Sequence, residues 1–313
     1  MENLDIVNFM EKTDHERIID IENFLDSEFP DWRVIEPPPS DLPIPIYEGI
    51  VTNALSVDNF IFNPAYFVNN KWVVFAVNNG RVFRGTSNNG LTDFTWYVTN
   101  CGYGSVIPFQ GWRCSYHLWN IRRQGYCTSL WQGSESGTFW EDMARDDSQT
   151  CGEDRNLLLD GNIIRNYIRP NPSPQLRTIG YCESSNNGYN WTGIIEVLRP
   201  DSTDGANIQF YEMSVIKTVR GYFGLLNVFN TNGFTIDLQL VHSANGIGSW
   251  RRLNERRNFI NRRPGIKQMF GNWSVIGDTA YIYTIENEQD HESGGVHFSS
   301  RYKIALTDLY RYL

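Results

Sequence analysis

The stretch SSNNGYNW, residues 184–191, has the composition of a tight turn and ends in a tryptophan. Asn and Gly accept the positive φ angles that such turns need. The same order of residues recurs in TSNNGLTDFTW (86–96), GSESGTFW (133–140) and VHSANGIGSW (241–250). A Ser, then a Gly and then a Trp, repeated four times, predicts four copies of one structural unit.

The spacing of this motif predicts the fold. Its serines, Ser87, Ser134, Ser185 and Ser243, are 47, 51 and 58 residues apart. That length holds four short strands and their turns, which is one blade of a β-propeller. We therefore expect an all-β, five-bladed propeller in which each Trp packs against the neighbouring blade. The expected blades are roughly 47–96, 97–150, 151–200, 201–260 and 261–313.

Residues 1–46 form a separate, acidic segment. Thr13–Glu16 has the form of a helix capping box, and an apolar stripe at helical spacing follows it. EPPPSDLPIPIYEG (36–49) then predicts an extended, proline-rich arm. The helix either folds back on its own domain or docks on a protein partner or a second copy. The docking residues of the stripe are Ile18, Ile21, Phe24 and Leu25.

Charge is uneven along the chain. Residues 1–50 carry 13 acidic and three basic side chains, a balance of −10, whereas the whole chain has a net charge of −9. The body is thus near neutral, which disfavours a nucleic-acid partner. Its basic run RRLNERRNFINRRPGIK (251–267) predicts a solvated face with ion pairs. The alternatives are a site for an anionic ligand or for phosphates, and docking of the acidic leader of a neighbouring copy or another subunit on Arg256 and Arg257.

Several classes of protein are disfavoured. The five cysteines include no CxxC pair, the five histidines no HExxH pair, and no glycine-rich phosphate loop occurs. We therefore expect neither a metal nor a cofactor, and mostly buried, reduced thiols. No apolar run reaches the roughly 18–20 residues that span a bilayer. The N-terminus lacks the basic start and the apolar block that are typical of a secretory signal. Synthesis in the cytosol, without membrane insertion, is the expectation.

The Ser-x-x-Gly…Trp hairpin resembles that of the arabinanase, levansucrase and mannoside-phosphorylase group of glycosidase-like propellers. In that group an Asp is usual inside the turn, where Asn187, Asn245 and Ser136 stand here. NFIFNPAYFVNNKWVVFAVNNGRVFRGTSNNG (59–90) is similar to a first blade of the group. The segment from Gln209 to Arg252 is similar to a fourth blade.

The resemblance implies a site built from carboxylates on the innermost strands, roughly 5–10 Å apart. It places Glu212 as the general acid of the fourth blade. Where the first or third blade of the group carries an Asp, this chain offers Asn63 and Asn166, and Asp58 and Asp160 are candidate partners only if the strands are displaced by several residues. Further ligand-binding candidates are Trp112, Arg113, His117 and His291, because indoles stack on sugars and His291 matches a funnel histidine of the group.

The missing second carboxylate favours a role without catalysis. We expect a structural, adaptor or carbohydrate-recognition module in a larger assembly, such as a virion or phage tail. The alternative is a cytoplasmic glycoside hydrolase or phosphorylase that acts on oligosaccharides with Glu212 as general acid.

Overall fold

The computed structural model describes residues 42–51, 59–61, 63–78, 81–99, 104–108, 112–120, 125–133, 140–146, 153–170, 176–291 and 297–313. The chain divides into two units, Met1–Leu42 and Pro43–Leu313, and the fold below is that of the second. The predicted helix and residues 36–41 of the proline-rich arm lie outside the described residues, whereas residues 46–49 of that arm belong to strand β1.

The described residues are almost entirely β. The first eleven strands are β1 (Ile46–Ile50), β2 (Asn59–Ile61), β3 (Tyr66–Val68), β4 (Lys71–Asn78), β5 (Arg81–Ser87), β6 (Thr95–Val98), β7 (Gly104–Pro108), β8 (Trp112–Asn120), β9 (Gly125–Gly133), β10 (Trp140–Asp146) and β11 (Glu153–Asp160). The next eleven are β12 (Ile163–Arg169), β13 (Ile179–Ser184), β14 (Ile195–Leu198), β15 (Ile208–Thr218), β16 (Gly221–Asn230), β17 (Thr235–Ser243), β18 (Arg251–Arg252), β19 (Asn258–Ile260), β20 (Gln268–Ile276), β21 (Thr279–Asn287) and β22 (His297–Ala305). Two 3₁₀ turns, Asn254–Arg256 and Tyr310–Tyr312, and one short helix, α1 (Leu306–Leu309), complete these elements.

The strands form four sheets in the described part of the chain. Three are antiparallel meanders of consecutive strands, β2–β6, β7–β10 and β11–β14. The fourth has nine strands and joins two further meanders, which are linked by one parallel pair, Ile236 with Gln268. The hydrogen-bonded sheets thus number four, and the count of five blades stays a prediction.

The last meander is completed by the first described strand. β1 pairs antiparallel with β22, from Ile46 opposite Lys303 to Ile50 opposite Ser300. Glu48 lies in this strand and forms ion pairs with Arg301 at 2.7 Å and with Lys303 at 2.9 Å. The beginning and the end of the described region are therefore held in one sheet.

A series of buried polar side chains joins the first strands of successive meanders. Four of them accept a hydrogen bond from the backbone of the next meander: Asn63 from Val106 at 2.8 Å, Ser105 from Leu157 at 2.9 Å, Asn156 from Val215 at 3.4 Å, and Ser214 from Trp273 at 3.3 Å. We call these residues, with Asn272, the inner polar series, and each is at most 4% exposed. The pattern would continue from Asn272 to Pro64, which has no N–H, and Asn272 instead accepts a bond from Asn156 at 3.0 Å.

The serine turns have the hydrogen bonds that their sequences predict. Ser87 Oγ accepts from Gly90 at 3.0 Å and donates to the Thr92 carbonyl at 2.6 Å, and Ser243 accepts from Gly246 at 3.0 Å. Asn89 and Asn245 accept two backbone N–H groups each within these turns.

In the third turn the register predicted from the sequence was wrong by one residue. The serine that accepts from Gly188 is Ser184, not Ser185. The turn amide is Asn186, not Asn187, because Asn186 Oδ1 accepts from the Asn190 backbone at 2.9 Å. This turn has one residue more between its Ser and its Gly than the turns at Ser87 and Ser243, and the adjacent serines and asparagines hid the insertion in the sequence.

The turns at Ser87 and Ser243 dock on the sheet beside them. Tyr283 and Arg301 of β21 and β22 donate to the carbonyls of Gly90 and Asn89. Tyr167 and Arg165 of β12 donate to the carbonyls of Gly246 and Asn245, both at 2.9 Å. The first pair connects the last sheet to the first, so the contact also links the two ends of the domain.

Trp250 follows the turn at Gly246 and is 8% exposed, and its ring meets that of Tyr167 edge-on with centroids 5.9 Å apart. Trp96 stacks on Phe94 of its own hairpin with ring centroids 5.1 Å apart, and Trp191 is half-buried against a cluster drawn from three sheets. The predicted packing of the motif tryptophan on the neighbouring sheet is thus confirmed at Trp250. Trp140 lies in β10, and its side chain is outside the described residues.

We predict that Gly246→Ala destabilises the domain more than Gly205→Ala. Both glycines have positive φ, +77° and +78°, so both substitutions carry the same backbone penalty of about 1 kcal/mol. A Cβ at Gly246 would come within 2.9 Å of Arg165 and Tyr167, whereas nothing lies within 4 Å at Gly205. We expect Gly246→Ala to lower the free energy of unfolding, measured in urea, by about 1–3 kcal/mol more than Gly205→Ala does. Equal decreases for the two variants would contradict the docking of the Gly246 turn on Arg165 and Tyr167.

Candidate functional site

Glu212 lies near the start of β15, the first strand of its meander. The pairing of β15 with β16 shifts between Phe210 and Glu212, which marks a β-bulge. The carboxylate is half-buried and accepts a hydrogen bond from Asn227 at 3.4 Å. A bulge at the start of a strand redirects a side chain, and such bulges are common beside functional sites.

Asp160 ends β11 and is held by three partners. Its carboxylate accepts from Lys217 and from the Tyr222 hydroxyl, each at 2.5 Å, and forms an ion pair with Arg165 at 2.8 Å. Burial raises the pKa of Asp160, but the bonds from Lys217 and Tyr222 and the charge of Arg165 outweigh it and hold the pKa below its usual value. Asp160 is thus ionised at neutral pH and has a structural role.

The structure does not bring Asp160 and Glu212 together. Asn156 of β11 contacts Val215, and Asp160 contacts Lys217, so β11 and β15 run side by side in the same direction. Glu212 lies before both contacts, five residues before Lys217, whereas Asp160 lies at the level of Lys217. At about 3.3 Å per residue the two carboxylates lie on the order of 15–25 Å apart, beyond the roughly 5–10 Å that glycoside hydrolysis requires.

Two acids that the sequence argument overlooked precede Asn156 on β11. Glu153 and Asp154 are three and two residues before it, which places their backbone beside the start of β15, where Glu212 lies. The signal was present in the sequence as an acidic pair before an apolar run. Asp58, the other predicted partner of Glu212, lies outside the described residues.

The predicted amides are buried. Asn63 belongs to the inner polar series, and its Oδ1 is occupied by the Val106 backbone. Asn166 lies on β12 and is 1% exposed, and its Oδ1 has no hydrogen-bond partner within the described part of the chain. Neither amide is open to solvent as a ligand-binding group at a surface would be.

Trp112 is not an open platform for a sugar. It is 2% exposed, and its ring packs edge-on against Tyr66 and Phe75 with centroids 5.6 and 5.2 Å away. This tryptophan fills the core between the first two meanders. Arg113 and His117 lie on β8, and their side chains are outside the described residues.

His291 takes part in a cluster around Tyr211, the residue before Glu212 in β15. Its Nδ1 lies 2.9 Å from Gln268 Oε1, and its Nε2 lies 2.9 Å from the Tyr211 hydroxyl. The guanidinium groups of Arg169 and Arg177 lie 4.1 and 5.4 Å from the centroid of the Tyr211 ring. We call Arg169, Arg177, Tyr211, Gln268 and His291 the mouth cluster, because Tyr211 and Gln268 stand at the start of β15 and β20.

The mouth cluster brings two arginines near His291, and Glu153 lies opposite Arg169 in the register of β11 and β12. Burial lowers the pKa of His291, and the charges of Arg177 and Arg169 lower it further, while Asp290 acts in the opposite direction. The imidazole is therefore neutral at pH 7. Only His291 of this cluster is recognisable from the sequence, since Arg169 ends β12, Arg177 precedes β13 and no motif connects them.

The basic run is largely neutralised by acids of the same chain. Arg256 forms an ion pair with Asp201 at 2.6 Å, Arg262 with Asp237 at 2.6 Å, and Arg263 with the buried Glu286 at 2.7 Å. Arg257 pairs with Glu255. These contacts agree with an ion-paired face, and docking through Arg256 and Arg257 stays a prediction.

Within the described residues, no three His, Cys, Asp or Glu side chains are grouped as a metal site would require. Among those same residues, no helix has the length and apolar character to cross a membrane. Cys182 is a thiol and is 2% exposed.

No protein-family model matches the sequence, and no curated protein matches it. Solved structures do match. A thermostable family-43 glycoside hydrolase is 13% identical with a TM-score of 0.62, over 80% of this chain and 91% of that one. An α-L-arabinofuranosidase from Lactobacillus brevis is 9% identical with a TM-score of 0.60, over 80% and 92% of the two chains.

A third similar structure is an α-L-arabinofuranosidase from Podospora anserina in complex with cellotriose, 12% identical with a TM-score of 0.60, over 85% of this chain and 99% of that one. At sequence identities this low, the similarity shows the fold alone. The chain has the β-propeller fold of these glycoside hydrolases, and the resemblance found in the sequence is confirmed at that level.

We predict that Asp160→Asn lowers the free energy of unfolding at pH 7 by about 1–3 kcal/mol, since it removes charge-assisted bonds from Lys217 and Tyr222. The folded pKa of Asp160 lies below the unfolded value of about 3.9. The stabilisation is therefore present above pH 4 and is lost as the pH falls through the folded pKa.

The measurement is urea unfolding of Asp160→Asn from pH 7 to pH 2, with the exposed Asp278→Asn as control. A difference from wild type that persists unchanged at pH 2 would contradict the ion-pair role.

Proposed function

We propose that residues 43–313 are a carbohydrate-recognition domain with a glycosidase-like fold and without two-carboxylate catalysis. One observation carries the proposal. Among the described side chains at the start of each meander, those that are buried and accept a hydrogen bond from the backbone of the next meander are amides and hydroxyls, Asn63, Ser105, Asn156 and Ser214. An amide neither accepts a proton at neutral pH nor acts as the nucleophile of glycoside hydrolysis.

Five blades are part of the same proposal. Five strand segments contribute to the inner polar series, and the same five segments line a cavity of about 250 Å³ through Tyr66, Ile107, Leu157, Val215 and Trp273. The nine-stranded sheet then counts as two blades, of which the second is completed by β1. A funnel along this axis, with Glu212 and the mouth cluster at one end, is the proposed glycan site.

A specific observation favours a second candidate function, a glycoside hydrolase or phosphorylase that acts on oligosaccharides. Glu153 and Asp154 lie on the strand next to Glu212 and at its level. With Glu212 as general acid, one of them, or Asp58, would supply the second carboxylate. Such an enzyme requires both acids, whereas a recognition domain requires neither.

The decisive experiment is incubation with a panel of neutral and acidic oligosaccharides, with and without phosphate, read by mass spectrometry. We expect every sugar to be recovered intact. Shortened products that vanish in Glu212→Gln would establish the enzyme instead. Asp154→Asn and Asp160→Asn then separate the partners, because loss of turnover in the first and retention in the second would identify Asp154.

We also propose that residues 1–46 hold the domain in a larger assembly, with a virion or phage tail as one example. The support is the acidic charge and the apolar stripe of that segment. In the full chain, Phe24→Asp combined with Leu25→Asp should lower the mass measured by light scattering if the partner is a second copy. Asn23→Asp, which adds a charge beside the stripe, is the control, and unchanged masses would contradict self-assembly.

A further inference from the structure

The cavity of about 250 Å³ lies on the opposite side of the inner polar series from the mouth cluster. Each of its lining residues follows the inner polar residue of its own segment: Pro64 and Tyr66, Ile107 and Pro108, Leu157–Leu159, Val215–Lys217, and Trp273–Val275. Tyr211 and Gln268 precede the inner polar residues of β15 and β20. Between the two ends, Asn156 donates to Asn272 at 3.0 Å, and both amides are at most 2% exposed. The cavity is therefore a site of its own, separate from the end at which Glu212 lies.

The walls of the cavity are almost entirely apolar. Its best buried side chains are each at most 3% exposed: Ile107, Leu157, Val215 and Trp273. Burying a hydroxyl without a hydrogen bond is unfavourable, so a sugar ring with several hydroxyl groups does not fit these walls. A bound water needs two to four polar partners, and an apolar cavity does not supply them. The lining favours a ligand whose surface is largely apolar.

Ser274 supplies the polar contact that this lining has to offer. Its Oγ is buried and has no hydrogen-bond partner within the described residues. The other polar side chains of the lining already have partners: Tyr66 donates to the Val106 carbonyl at 2.5 Å, Trp273 Nε1 to the Ser214 carbonyl at 2.9 Å, and Lys217 to Asp160 at 2.5 Å. The charge of Lys217 is thus paired with that of Asp160, and the Ser274 hydroxyl can both donate to and accept from a ligand.

We propose that this cavity binds a small, uncharged apolar molecule that carries one hydroxyl group. An apolar cavity of about 150 Å³ holds benzene, so one of this size has room for about ten non-hydrogen atoms. The hydroxyl of the ligand lies against Ser274, and the rest of the molecule replaces empty space beside the apolar walls. The inference goes beyond the proposed carbohydrate recognition and does not depend on it.

The test is equilibrium dialysis of the full chain at pH 7 against 2-naphthol, naphthalene and 2-naphthoate. We expect 2-naphthol to bind about 2- to 10-fold more tightly than naphthalene, the usual range for one hydrogen bond between neutral groups. We expect 2-naphthoate to bind at least about 10-fold more weakly than 2-naphthol, because its carboxylate would lose hydration against apolar walls.

Two variants locate the site. Ser274→Ala should remove the preference for 2-naphthol and leave the binding of naphthalene unchanged. Val275→Phe should weaken the binding of both by at least about 10-fold, because the added ring fills space that the ligand needs. Val219→Phe is the matched control, since Val219 is 90% exposed and lies outside the lining. Unfolding midpoints confirm that each variant folds.

Four results would overturn the inference. The first is that wild type binds neither naphthalene nor 2-naphthol, and the second is that Val275→Phe and Val219→Phe have equal effects. Tighter binding of 2-naphthoate would assign the cavity to an anionic amphiphile instead. A preference for 2-naphthol that persists in Ser274→Ala would place its hydroxyl elsewhere. Each of these results leaves carbohydrate recognition to be decided by the oligosaccharide panel.

Discussion

The docking of turn carbonyls on tyrosine and arginine side chains is the contact on which the domain depends. The carbonyl groups of a turn have no partner within the turn. If they are buried without a hydrogen bond, each lowers the stability of the fold by about 1–3 kcal/mol. Here Tyr283 and Arg301, or Tyr167 and Arg165, satisfy these carbonyls from the neighbouring sheet. The Ser and Asn side chains of the motif hydrogen-bond to the backbone within the turn. Trp250 packs against Tyr167 beside one of these contacts. Sheets that share no backbone hydrogen bonds are thereby joined at fixed positions.

The inner polar series also joins neighbouring meanders through hydrogen bonds from side chain to backbone. Strands that begin neighbouring meanders lie too far apart for ladder hydrogen bonds, and short side chains such as Ser105 and Asn156 bridge the gap. Burying an amide or a hydroxyl that is hydrogen-bonded lowers stability only slightly, whereas a buried carboxylate must be paired with a cation. Asp160 illustrates the second case with Lys217, Tyr222 and Arg165. The choice of polar residues on the strands that begin the meanders thus depends largely on the hydrogen bonds that join the sheets.

The sequence predicted the fold class well and the site poorly. The turn motif is local, so its strands, its hydrogen bonds and the packing of Trp250 could be inferred, and only the doubled Ser184–Ser185 and Asn186–Asn187 shifted one register. Glu212 was placed at the start of an inner strand from a family resemblance. The mouth cluster could not be foreseen, because Arg169, Arg177 and His291 are far apart in the chain and only the tertiary fold assembles them. Trp112 was misjudged because polar neighbours in the sequence do not show which face of a strand is buried.

The pairing of β1 with β22 has a consequence for synthesis on the ribosome. β1 is made first, and its partner, Ser300–Lys303, is made about 250 residues later. At roughly 5–20 residues per second this delay is about 10–50 s. Throughout that time Ile46 and Ile50 have no strand to pair with, and Glu48 has neither of its cations. The nascent chain therefore carries an unpaired apolar strand end for most of its translation, and the domain cannot close before its last strand has left the ribosome.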